Sequence, residues 1–141
     1  MKIIVIDGQG GKIGKTIIEQ LKKDHPGLEL IAIGTNSIAT AAMLKAGADY
    51  GATGENPAIV NSRDADIIIG PIGIIIANSL LGEITPAMAS SIGSSHAHKI
   101  LIPVNRCNHH VVGCKQLSSG DYIKEAVEYL DTLITDGFRA K

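Results

Sequence analysis

Residues 2–6, "KIIVI", run directly into "DGQGGKIGKT" and then into the periodic stretch "IIEQLKK". Gly8, Gly10, Gly11 and Gly14 thus fall between a strand pattern and a helix pattern. A short β-branched run suits a strand buried on both faces. The spacing of Ile13, Ile17, Ile18 and Leu21 suits a helix packed on it. A strand that turns sharply into a helix implies a crossover to a parallel neighbour, and such crossovers are right-handed. This unit therefore selects a layered α/β architecture and places its glycine turn at the carboxyl edge of the sheet.

The rest of the chain repeats the alternation. "LELIAIG" reads as a second strand. "NSIATAAMLKAG" reads as a helix capped by Asn36 or Ser37 and ended by Gly47. "ADYGAT" is a short third strand, and "NPAIVNSRD" a short helix with Asn56 at the cap and Pro57 in the first turn. "ADIIIG" is a fourth strand, "TPAMASSIGSS" a helix capped by Thr85 ahead of Pro86, and "KILIPV" a fifth strand. "HVVG", residues 110–113, offers a sixth. The last helix turns Ile123, Ala126, Val127, Leu130, Leu133 and Ile134 inward. A length of 141 residues suits one core, and 45% apolar with 3% aromatic residues makes that core aliphatic. The expectation is a single Rossmann-like domain over residues 1–141, with a parallel sheet in order 3-2-1-4-5 and helices on both faces.

Such a turn suits a dinucleotide. Gly8 permits the tight exit from the strand, Gly10 lets the backbone approach a pyrophosphate, and Gly14 lets the helix pack closely on the sheet. The positive end of the helix macrodipole then favours the phosphates. The pyrophosphate is expected on Gly8, Gln9, Gly10, Gly11, Lys12, Ile13 and Gly14. If strands one and four are neighbours, a second glycine turn, Gly70, Pro71, Ile72 and Gly73, faces the same crevice and meets the far half of the ligand. The second strand ends in Gly34, Thr35, Asn36 and Ser37, with no acid to hold an unphosphorylated ribose. Thr35, Asn36 and Ser37 can donate to a 2′-phosphate, which favours NADP over NAD; their alternative role is a helix cap. Asn105 and Arg106, after the fifth strand, are further candidates for a ligand's phosphate or carboxylate, against the alternative of an exposed Arg106. Asp7 would repel a pyrophosphate unless it faces away or binds a metal, and its structural role is to cap amides of its own turn.

Over roughly the first quarter of the chain, "MKIIVIDGQGGKIGKTIIEQLKKDHPGLELIAI" resembles the opening of dihydrodipicolinate reductase. That resemblance implies NADH or NADPH held by the turn. "HHVVGCKQLSSG" at 109–120 has the residue types of that enzyme's catalytic region, but its lysine stands two positions too late, so His109, His110 and Lys115 receive no catalytic role. Over its full length the chain resembles a short bacterial family of unknown function, which implies no activity.

Other readings of these residues remain open. "GGKIGKT" ends like a phosphate-binding loop for ATP, with Lys15 for phosphate and Thr16 for Mg²⁺, although Gln9 stands where that motif needs glycine. The glycines also suit a purely structural turn. His96, His98, Cys107, His109, His110 and Cys114 offer zinc-ligand chemistry, with His96 and His98 on one face if extended, but lack the familiar spacings. A net charge of −1, from 13 basic and 14 acidic side chains, disfavours nucleic acid and membrane surfaces. The absence of a leader pattern or a long apolar span suggests a cytoplasmic protein. "IGIIIANSLLGEI" carries more apolar surface than one amphipathic helix buries, so a homo-oligomer is expected, its partner subunit supplying a second wall for the nucleotide.

Overall fold

The structure is a computed structural model that describes residues 1–104 and 108–137. Its elements alternate as β1 (Ile3–Asp7), α1 (Lys12–Asp24), β2 (Leu30–Gly34), α2 (Ser37–Lys45), β3 (Tyr50–Thr53), α3 (Glu55–Ser62) and β4 (Ile67–Pro71), then a 3-10 turn (Ile72–Ile75), α4 (Pro86–Ser94), β5 (His98–Ile102) and α5 (Ser119–Thr135). All five strands are parallel, in the order β3-β2-β1-β4-β5. The expected architecture and strand order are therefore those observed. The sixth strand is not formed: residues 110–113 are irregular and turn-containing, so β5 is the last strand of the sheet.

Strand alternation divides the core in two. Ile3, Val5, Leu30, Ala32, Ile67 and Ile69 meet α1, α2 and α5 on one face. Ile4, Ile6, Ile33 and Ile68 meet α3, α4 and the segment after β4 on the other. Right-handed crossovers explain the division, because the chain steps one way from β1 to β3 and the other way from β4 to β5. The reversal falls between β1 and β4, the point at which open α/β sheets bind ligands. Every residue of those two strands is buried.

Local chemistry fixes the helix starts. The Asn36 side chain accepts from the Ala39 amide at 2.9 Å, and Thr85 caps α4 by accepting from Met88 at 3.1 Å. The short third helix differs from expectation. It is entered one residue before Asn56, with Gly54 at the cap position, φ 105°, and Glu55 in the first turn. A carboxylate there satisfies the helix dipole, and Pro57 sits where its missing N–H costs nothing. Gly47, φ 120°, follows α2 as expected.

The close approach of β4 to β1 depends on Gly70, whose added methyl would overlap the Ile6 carbonyl oxygen. Gly93, in α4, has nothing within 4 Å of the same position. In urea denaturation, Gly70→Ala is expected to lose about 1–3 kcal/mol. Gly93→Ala should instead gain up to about 1 kcal/mol from helix propensity. Equal effects would contradict the packing between β1 and β4.

Candidate functional site

The first glycine turn is organised from below by Asp7, the last residue of β1, which is only 4% exposed. Its Oδ1 accepts from the Gly8 amide and its Oδ2 from the Gly14 amide, both at 2.8 Å. The Ile13 amide contributes as well. One carboxylate thus spans the turn and caps α1, whose cap position, Gly11, is left-handed (φ 73°) and has no side chain to do so. Burial pushes the Asp7 carboxyl above its usual range; the amides pull it back in part, and Glu83 adds repulsion.

Each glycine of the turn except one has a structural reason. A methyl on Gly8 would lie 2.6 Å from Thr35 Oγ1 and 2.9 Å from Leu80 Cδ1. Gly11 packs against the Ala39 backbone, and Gly14 against Met43. Gly10 is exposed, has nothing within 4 Å, and does not need positive φ. Among the described residues its amide and that of Lys12 have no acceptor. They border a hollow of about 80 Å³ roofed by Leu80. That volume falls well below the roughly 300–1,000 Å³ of an ordinary small-molecule pocket. Any larger ligand must lie in the open above Gly10.

The second half of the site comes from β2 and from a segment remote in sequence. Glu83 Oε1 accepts from the Gln9 amide at 3.0 Å, from Thr35 Oγ1 at 2.7 Å and from Asn36 Nδ2 at 2.5 Å. Asn36 therefore caps α2 with its oxygen and turns its nitrogen to Glu83 and to the Gln9 carbonyl. Burial alone would raise the Glu83 carboxyl, but the hydrogen bonds from Thr35, Asn36 and Gln9 outweigh it and hold the group below its usual range. Ser37 opens α2 and is exposed.

Glu83 is carried by residues 76–84, a strap over the carboxyl edge. Asn78, Leu80, Leu81 and Gly82 all have left-handed backbones, φ 65°, 54°, 56° and 86°. For a leucine this costs about 1–2 kcal/mol, so the surroundings must over-determine it. They do: Ser79 Oγ donates to the Gly73 carbonyl, the Asn78 amide to Ile84 at 2.7 Å, and the Glu83 amide to Leu80 at 3.1 Å. Leu80 is buried over Gly8 and Gly73, while Leu81 is 94% exposed. Leu80 thus fills the space between the two glycine turns, and the hollow beside it is lined by the first turn alone, Gly73 being buried beneath Ser79 and Leu80. Gly70 and Pro71 end β4, and Ile72 and Gly73 begin the 3-10 turn. The apolar stretch that suggested a partner subunit is absorbed internally by Ile74, Leu80 and Ile84.

Glu83 was not among the sequence candidates. Its one signal is an acid lodged in an apolar run, and 47 residues separate it from Asn36. Asn105, Arg106 and Cys107 lie outside the described residues. Lys15 and Thr16 sit in the body of α1, not at its start: Lys15 approaches Glu19 at 3.9 Å, and Thr16 donates to the Lys12 carbonyl. His96 and His98 part company because the chain bends before β5. His96 borders a hollow with Arg63, whereas His98 meets the Tyr129 hydroxyl at 3.0 Å. No cluster of three metal-binding side chains occurs among the described residues. A larger hollow, about 330 Å³, lies beside β5, where Cys114 Sγ is 3.3 Å from the Tyr122 hydroxyl.

The two carboxylates give opposite pH dependences. Asp7, raised in the fold, holds its proton more tightly than the unfolded chain does, so its contribution to stability falls as pH rises from about 4 through its folded value. Glu83, lowered, contributes stability that is lost as pH falls through its own folded value. Melting curves of wild type and Asp7→Asn should therefore differ in slope: relative to the variant, wild type loses ground from pH 4 to 7. Parallel profiles would contradict a buried carboxylate at this turn.

Among the described residues no helix is long and apolar enough to cross a membrane. No curated protein matches the chain in sequence. A family model does, over residues 2–135, and its description is "Domain of unknown function (DUF3842)". A match of that extent covers the whole sheet, the glycine turn and the strap, and the chain belongs to the DUF3842 family.

Proposed function

We propose that the protein binds a nicotinamide dinucleotide, NADP or NAD, at the carboxyl edge of its sheet. The pyrophosphate lies over Gly10, within reach of the Gly10 and Lys12 amides and the amino end of α1, and the adenosine ribose lies beside Gln9, Thr35 and Asn36. The observation that carries this reading is Gly10. It is the one glycine of the turn that the fold itself does not need, and a glycine at this place in such a turn lets the backbone approach a pyrophosphate. Two uncommitted amides beside it supply the donors. Asp7 does not oppose the ligand directly, because both of its oxygens face the amides beneath the turn.

The proposal is one of binding. Among the described residues the groups at the mouth are amides, the Lys12 ammonium, a hydroxyl, a carboxamide and a carboxylate that already accepts three hydrogen bonds. The nicotinamide half extends past Leu80.

Titration calorimetry with NADH and NADPH tests the proposal. Wild type is expected to bind at least one of them, and Gly10→Ala to weaken that binding about tenfold or more, a loss of about 1.4 kcal/mol. The variant should melt with wild type, since its new methyl meets nothing. Equal affinity in both proteins, or no binding by wild type, would overturn it.

A further inference from the structure

Glu83 is the residue on which ligand selection turns. Its Oε1 is saturated by the Gln9 amide, Thr35 and Asn36, whereas its Oε2 has no partner among the described residues. These contacts place the carboxylate over Gly8, at the carboxyl ends of β1 and β2. A dinucleotide-binding sheet normally holds the adenosine ribose there with an acid at the end of its second strand. Here β2 runs into Gly34, Thr35, Asn36 and Ser37, and the acid arrives from the strap instead.

We infer that Glu83, through its Oε2, accepts from the 2′-hydroxyl of an unphosphorylated adenosine ribose, so that the site takes NAD(H) in preference to NADP(H). This rests on the dinucleotide reading above and reverses the preference drawn from Thr35, Asn36 and Ser37 alone. The reason is the direction of the hydrogen bonds. A carboxylate accepts only, and a ribose hydroxyl donates an O–H to its remaining oxygen, Oε2. A 2′-phosphate also accepts only, so against Glu83 it meets repulsion with no hydrogen bond. The donors it would need, Thr35 and Asn36, are already turned to the carboxylate.

The test is titration of wild type and Glu83→Gln with NADH and NADPH at one salt concentration. Wild type should bind NADH at least tenfold more tightly than NADPH, and Glu83→Gln should narrow that ratio tenfold or invert it. Displacement of NADH from wild type by AMP and by adenosine 2′,5′-bisphosphate gives the same discrimination without a variant: AMP should compete and the bisphosphate should not. Equal binding of the two dinucleotides by wild type, or a ratio unchanged in Glu83→Gln, overturns this inference and leaves the dinucleotide reading standing. Binding of neither overturns both.

Discussion

A buried carboxylate holds the working edge of this molecule together. Asp7 ends the central strand β1 and accepts from amides on either side of the glycine turn, fixing the angle at which α1 leaves the sheet. Enclosing a charge there is costly, and the amides offset that cost only because they would otherwise be buried without acceptors. The same bonds consume donors at the base of the turn and leave those of Gly10 and Lys12 at its tip. A turn that looks like an open nest for an anion is thus divided in two, an inner half serving the fold and an outer half facing the crevice.

The strap completes the edge. Because β1 and β4 are neighbours, a chain leaving β4 can cross the end of β1 and reach β2. Residues 76–84 do this, burying Leu80 between the two glycine turns and delivering Glu83 to Gln9, Thr35 and Asn36. Left-handed leucines are tolerated because burial of Leu80 and the hydrogen bonds of Ser79, Asn78 and Glu83 leave the backbone no better arrangement.

The sheet was legible in the sequence because its information is local. Buried runs such as "KIIVID" and "ADIIIG" alternate with capped helices, and handedness then leaves few arrangements. Thr85 and Asn36 announce helix starts through side chains that act within three residues. Asp7 was legible as a cap for the same reason. Errors arose where the deciding contact is distant or the backbone irregular. Gly54, lacking a capping side chain, hid the start of α3, and the bend at His96 undid the alternation that would pair it with His98. Glu83 is the clearest instance: nothing in the run "NSLLGEI" specifies that its acid will cross two strands, because that follows from strand order and from left-handed turns no periodicity encodes.

What the molecule does depends on whether the outer half of the glycine turn receives phosphate. Amide chemical shifts followed by ¹⁵N NMR during titration with NADH address this atom by atom. The arrangement predicts that the largest changes fall on Gly10 and Lys12, with a second group at Gln9, Thr35 and Asn36, while Gly8 and Gly14, bonded to Asp7, move little. Changes confined to other surfaces, or none at saturating ligand, would show that this edge is scaffold alone.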